Sequence, residues 1–201
     1  LENGNLSDNV TMTATGLSGA TDGGVHISAQ LDEVFTLEQC LYAIVLASAN
    51  DMALQVAEHI GGTVEGFVEL MNSRAKELGC TNTMLVNCHG LDNVQQYTTA
   101  RDIAKIILAA SENPTFMEIF GAKTYTMPPT NKNEKEREVT SGNHLKYEMH
   151  LPQFNDLRVT GGMPSYVSAG SGASIAFTAE DKGMELVFVI LGSVRTYEDN
   201  G

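Results

Sequence analysis

The stretch VLASANDMALQVAEHIGG, residues 45 to 62, sets Ser48 and Asn50 inside an otherwise apolar helical run. A hydroxyl and a carboxamide two positions apart can pass a proton and hold a substrate amide, the work that supports a nucleophile in acyl transfer. Both residue types weaken a helix interior and suit its ends, so the spelling predicts two helices with a polar break between them. The same Ser-x-Asn spacing recurs at Ser7/Asn9, Ser111/Asn113 and Ser141/Asn143. Those three fall before a strand, at a helix end before proline, and in a loop leading to a strand. Only the pair at 48 and 50 breaks a buried element, where desolvated polar groups need partners and can be held rigidly. Other reactive patterns are absent: there is no GxSxG elbow, no HExxH, no Walker loop and no complete GxGxxG.

The elements that must position this pair follow from periodicity. Residues 8–15 and 24–31 read as short strands. Thr36 and Gln39 make a capping-box pattern before LYAIVLA, and Asn50 is predicted to cap the helix that stops at Gly61-Gly62. Thr63 opens a third helix with Val64, Phe67, Val68, Met71, Ala75 and Leu78 on one face. Thr99 with Asp102 opens a fourth, ending before Pro114. The 17 residues between these helices, 81–97, lack periodicity, and a loop of that length is functional or pinned by its own packing. After Gly121, KTYTM, DLRV, ASIAFTA and MELVFVIL read as strands, the last two joined by the turn Glu180-Asp181-Lys182-Gly183. The run 131–138, NKNEKERE, mixes its signs and reads as a solvated loop. The order predicts an α+β fold: a single domain 1–201 in which a helical region, 36–120, sits between the parts, 1–35 and 121–201, of one antiparallel sheet.

Composition narrows the function classes. With 12 Lys plus Arg against 25 Asp plus Glu, the chain carries a formal charge of -13, which repels a phosphate backbone and argues against nucleic-acid partners. No apolar run reaches the roughly 18 residues that span a bilayer. Leu1 to Gly4 resemble the end of a helix, so the missing signal sequence says little about compartment. Cys40, Cys80 and Cys88 have no zinc-like spacing and read as small buried hydrophobes; no metal or organic cofactor is expected.

One plan of serine acyl transfer uses three short motifs, SxxK, SxN and KTG. The stretches FTLEQCLYAIVLASANDMALQVAEHIGG, FVELMNSRAKELGCTNTMLVNCHGLD, YTTARDIAKII and GMELVFVILGS resemble the D-alanyl-D-alanine carboxypeptidases, the low-molecular-mass penicillin-binding proteins. The likeness runs over residues 5 to 193 in the family's order and is strongest at 36–107. It implies a β-lactamase/DD-peptidase-like fold truncated at both ends, with Ser48 relaying a proton and Asn50 holding the peptide amide so that both face a cleft. It also implies an extracytoplasmic site, a peptidoglycan stem peptide ending in D-Ala-D-Ala as substrate, β-lactams as ligands where the nucleophile is present, and no cofactor.

Two motifs depart from that pattern. The resemblance places SxxK ahead of residue 1; the one internal match, Ser73-Arg74-Ala75-Lys76, falls on the outer side of its helix and is a decoy. The third motif aligns, through Tyr166, with Met163-Pro164-Ser165, so Met163, Pro164, Ser165 and Tyr166 are the substrate-binding candidates; a second register puts Val159 in the lysine position. Neither register supplies the lysine, and methionine forfeits a charge-assisted hydrogen bond worth about 1.5 to 3 kcal/mol. Proline also removes an N–H from any substrate ladder. Arg158 is a remote compensating charge, and His89 in NCHGLD, a likeness of the family's Asn-Pro-His-Gly-Leu loop, reads as a histidine bonded into its own loop. The expectation is a carboxypeptidase-like domain inactive as this chain; the alternatives are a non-catalytic binder of wall peptides or wall proteins and, more remotely, a β-lactamase. A sheet face left bare by the short ends is expected to recruit a partner, such as a second copy in a homodimer.

Overall fold

The computed structural model describes residues 1–21, 24–143, 146, 156–166 and 172–193. Its contacts divide the chain into two compact units. The first comprises Leu1–Met71, Asn87–His89 and Ala122–Ser141, and the second Asn72–Val86, Gly90–Gly121 and Gly142–Gly201.

In the first unit β1 (Asn9–Thr11) pairs antiparallel with β2 (Val34–Thr36). The chain between them does not continue as strand. Thr13 accepts a hydrogen bond from the Thr15 N–H and starts a short helix, α1 (Ala14–Ser18), where alternation suggested the strand would run on. The anticipated strand at 24–31 is also not formed: Ser28 and Asp32 adopt left-handed backbone with φ of 58° and 60°, which ends an extended run. The capping box is as expected, with Thr36 Oγ1 accepting from Gln39 N and Gln39 Oε1 from Thr36 N at the start of α2 (Leu37–Ala47). The next helix, α3 (Asn50–Gly61), has Ala49 rather than Asn50 at its N-cap, so Asn50 is its first helical residue.

The core of this unit is formed by Val10, Met12, Phe35, Leu37, Cys40, Met52, Ala57 and Met127, each at most 1% exposed. β3 (Thr124–Met127) and β4 (Arg137–Thr140) form a second antiparallel pair, and Tyr125 stacks on Tyr42 of α2 with ring centroids 3.9 Å apart. The charged run 131–138 is not simply solvated. Arg137 forks onto the fully buried Glu33 at 2.8 and 3.1 Å, Thr130 donates to the same carboxylate, and Asn131 bonds Val34 N and Asp32 O. Most of the run is exposed, as its mixed charge suggested, but Arg137 is drawn inward by one buried carboxylate.

α4 (Val64–Glu77) is followed by the long loop, and the loop is pinned by its own packing as anticipated. Met84 and Tyr97 bridge antiparallel, Asn72 bonds the Leu85 backbone at both its N–H and C=O, and Asp102, 2% exposed, accepts from Asn82 N and Thr83 Oγ1. Thr99 caps α5 (Ala100–Ser111), and Asn113 caps α6 (Pro114–Phe120), whose first residue is a proline that needs no N–H there. That cap accounts for one of the four Ser-x-Asn matches: Asn113 serves a helix start, and Ser111 bonds the Leu108 carbonyl.

The second unit's sheet runs β5–β6–β7: β5 (Val159–Tyr166), β6 (Ala173–Asp181) and β7 (Met184–Ser193), all antiparallel. The last two close through Lys182 and Gly183, both at positive φ, the two-residue hairpin that a right-handed strand twist favours. α5 packs on β6 and β7, and α6 on β5, where Gly161 leaves room for Phe120. Among the described residues the strands form three separate sheets rather than one, because β1 and β3 each pair with a strand of their own unit. β7 shows an apolar face: Phe188 stacks on Phe177, and Met184, Phe188 and Ile190 are 56%, 42% and 52% exposed.

Candidate active site

The break between α2 and α3 lies where the sequence put it, and its geometry is unusual. Ser48 ends α2 in the left-handed region, φ 53° and ψ 38°, a conformation that costs a serine roughly 1 to 2 kcal/mol relative to ordinary backbone. Such strain persists where the surroundings over-determine it and clusters at functional sites. The Ala49 N–H reaches back 3.3 Å to the Ala43 carbonyl, and Ala49 is buried, so the turn is fixed on both sides. Ser48 is half-buried; Asn50 is 7% exposed. Neither side chain hydrogen-bonds another described residue.

Two glycines frame this turn within the same unit. A Cβ on Gly24 would sit 1.9 Å from Asn50 Nδ2, and one on Gly19 would sit 2.7 Å from Asp51 N. Asp51, the next residue of α3, is 1% exposed, and its carboxylate accepts from Ile27 N at 3.2 Å and Met52 N at 2.9 Å. Burial pushes its carboxyl above the ordinary range, partly offset by these N–H groups. The loop carrying Cys88 and His89 also belongs to this unit, and the Cys88 thiol lies 3.6 Å from the Ala53 carbonyl, one turn along α3. Burial raises that thiol to about 11 and Cys40 to about 12, which keeps both neutral and unreactive near neutral pH.

The third-motif positions belong to the second unit. Met163, Pro164, Ser165 and Tyr166 lie in β5, an edge strand of the sheet, rather than in a loop, and pair with Ala176, Ile175, Ser174 and Ala173 of β6. An edge is where a strand tolerates proline. Met163 and Pro164 are half-buried and Ser165 is exposed. The register slips between Val159 and Gly161, a bulge at Thr160 whose carbonyl accepts from Lys146 Nζ at 2.6 Å while its hydroxyl bonds Thr178.

Arg158 does not offer a spare charge here. It pairs with Asp156 at 2.6 Å and lies 3.9 Å from Asp181, and its hydrogen bonds hold the Asp156 carboxyl down to about 2. Ser73 and Lys76 are exposed on α4, as expected of a decoy. The fourth Ser-x-Asn match is a different matter. Ser141 and Asn143 are 2% and 1% exposed, more enclosed than the pair at 48 and 50, so burial alone does not single out the latter. Gly142 abuts the Pro164 ring, and Gly162 has room for no side chain because Asn143 Nδ2 occupies it. This turn supports β5 beneath the third-motif positions, which sequence reasoning missed because the contact joins residues some 20 positions apart.

The profile of the D-alanyl-D-alanine carboxypeptidases, peptidase family S11, matches residues 3–195. The chain belongs to this family. It is 32% identical to D-alanyl-D-alanine carboxypeptidase DacC of Escherichia coli over 151 residues, 75% of this chain and 34% of that protein. To the carboxypeptidase DacF of Bacillus subtilis it is 39% identical over 99 residues, 49% of this chain and 25% of that protein. The fold matches the Streptomyces K15 DD-transpeptidase with a TM-score of 0.84 at 24% identity, covering 97% of this chain and 75% of that one. It matches a Mycobacterium tuberculosis D-alanyl-D-alanine carboxypeptidase with a TM-score of 0.81 at 25% identity, covering 96% and 69%. The chain spans about a third of the length of the curated relatives first matched, 34% and 38%. The β-lactamase/DD-peptidase-like architecture expected from the family resemblance is therefore the one present. No helix among the described residues is long and apolar enough to cross a membrane.

Proposed function

We propose that this S11 domain binds peptidoglycan stem peptides ending in D-Ala-D-Ala, outside the cytoplasmic membrane, and that Ser48 and Asn50 are its proton relay and amide holder. The observation that carries the reading is the turn itself: a strained left-handed serine followed by a near-buried asparagine, both with side chains uncommitted, in a chain of this family. A hydroxyl so placed exchanges protons with a neighbouring oxygen or amine, and the carboxamide offers one donor and one acceptor to a peptide bond. Met163, Pro164, Ser165 and Tyr166 are proposed to line the peptide on β5 through backbone and apolar contact, without the cation of the family motif.

Hydrolysis on this plan needs a serine nucleophile with its adjacent lysine. No residue from 1 to 201 is assigned that role. The reading is of a carboxypeptidase-like domain, and the absence of a cation at the proposed positions 163–165 supports a second reading, a wall-peptide or wall-protein binder. Fluorescent penicillin separates the two: covalent labelling of this chain supports retained acylation, whereas saturable, reversible binding of a D-Ala-D-Ala peptide with no label supports the binder. Neither label nor peptide binding would remove both. The exposed β7 face keeps a second copy of the chain among the proposed partners, and sedimentation equilibrium across a concentration series tests it.

A further inference from the structure

We infer that Asp51 is the positioning residue of the turn at 48–50: its buried carboxylate fastens residues 25–29 onto the first turn of α3, and Gly24, at the head of that segment, sets where the Asn50 amide lies. The consequence for ligand binding rests on the reading that Asn50 holds a peptide amide; the positioning does not.

The argument begins with a helix that has no cap. Ala49, at the N-cap of α3, offers no side-chain acceptor to the first turn, yet that end is buried with Ala49, Asn50, Asp51 and Met52 all 7% exposed or less. Orphan N–H groups at such an end require partners, and a negative charge there is favoured by the helix dipole. Asp51 fills both needs from the second helical position. One carboxylate oxygen accepts its neighbour Met52 N at 2.9 Å; the other reaches out of the helix to Ile27 N at 3.2 Å, and the Ala29 backbone adds to the field that favours the ionised carboxyl. In return the Asn50 N–H donates to the Val25 carbonyl at 2.8 Å. Residues 25–29 are thus docked on the helix end by bonds from alternate backbone positions. This is why a stretch with strand-like alternation forms no strand: its backbone groups are used by a side chain and a helix terminus. Ser28 then turns into left-handed backbone, with its N–H 3.2 Å from His26 Nδ1, and ends the docked segment.

The docking reaches Asn50 through Gly24. The space where a Gly24 Cβ would stand is occupied by the Asn50 carboxamide, 1.9 Å from Nδ2 and 2.9 Å from Cγ. Whatever holds residues 25–29 in place therefore holds one wall of the Asn50 side chain. Val25 is 57% exposed and Ile27 and Ala29 are only half-buried, so the Asp51 bonds, with the Asn50 N–H on Val25, tether the segment.

The test uses the whole chain, isotope-labelled, with Asp51→Ala, Asp51→Asn and Gly24→Ala. Amide exchange at Ile27 and Ala29 reports the docking, the Asn50 side-chain NH2 resonances report its position, and titration with diacetyl-L-lysyl-D-alanyl-D-alanine reports binding. Asp51→Ala should speed exchange at Ile27 and Ala29 roughly tenfold to a hundredfold, as loss of bonds to a charged acceptor requires, and shift the Asn50 resonances. Asp51→Asn keeps one carbonyl oxygen but turns an NH2 toward the other N–H, so with Ile27 and Met52 on opposite oxygens it should restore exchange protection only in part. Gly24→Ala should leave Ile27 and Ala29 protected while moving the Asn50 resonances and weakening peptide binding roughly tenfold or more, because a Cβ cannot share that space. Asn50 resonances unmoved in Gly24→Ala, or in a folded Asp51→Ala with fast Ile27 exchange, overturn the inference. A wild-type chain that binds no peptide removes the amide-holding reading alone, since the exchange and resonance data still decide the role of Asp51.

Discussion

At the turn of residues 48–50, the proposed relay and amide holder, the backbone is forced: a left-handed serine, a helix start without a cap, two glycines packed against the asparagine and its neighbour. On β5 the reverse holds. From Gly161 on, the backbone is an ordinary edge strand in register with β6 and braced by Gly142 and Asn143, while Met163, Pro164 and Ser165 offer no cation and, at the proline, no N–H. The contrast separates two things a binding site needs. Geometry at the turn depends on many neighbours and changes only with them; chemistry on β5 depends on three side chains and can change while the strand stands.

The strongest way to break that contrast is to attack the frame of the first unit. Glu33→Ala leaves the Arg137 guanidinium enclosed without its carboxylate, and urea unfolding should show a loss of about 3 to 5 kcal/mol. A loss below about 1 kcal/mol would mean that this frame is not rigid in the sense used here. Next, Met163→Lys returns an ammonium to β5. Calorimetric titration should find a D-Ala-D-Ala peptide bound roughly tenfold to a hundredfold more tightly, the ratio that a charge-assisted bond of about 1.5 to 3 kcal/mol gives. Unchanged affinity would detach β5 from the proposed site. A smaller change tests the strain at the turn: Ser48→Gly accepts left-handed backbone without penalty and should raise stability by about 1 kcal/mol while removing the proposed relay. A stability loss would show that the hydroxyl, not the backbone, is what the turn requires.

The smallest effect is a pH profile. Asp51 is raised by burial, so its contribution to stability is largest when protonated and falls as pH rises from its ordinary 3.8 through the raised folded value. His26 faces it as a potential cation, and the buried Cys40 is its other titratable neighbour. Glu33 behaves oppositely. Burial alone would raise it, but hydrogen bonds from Arg137 and Thr130 bring it below its ordinary 4.5, so its contribution is present above that value and lost as pH falls through the lowered one. Asp51→Asn removes only the first behaviour, and its unfolding midpoint should climb more steeply with pH through that window than that of the wild-type chain. Parallel profiles would place the Asp51 carboxyl in an ordinary environment.

Periodicity and capping chemistry are local, which is why α2, α4, α5, the 182–183 hairpin and the polar break at 48–50 could be read from residue order alone. The capping box at Thr36 and Gln39 and the decoy at Ser73 and Lys76 follow from neighbours within four positions. The family likeness rests on the same local spelling. What order did not disclose depends on partners far along the chain. Residues 24–31 lost their strand to Asp51 and the end of α3, Arg137 of the charged run was drawn onto Glu33, and Gly142 and Asn143 became the support of β5. In each case a buried polar group had to be satisfied, and only the folded chain decides which distant backbone or side chain does so.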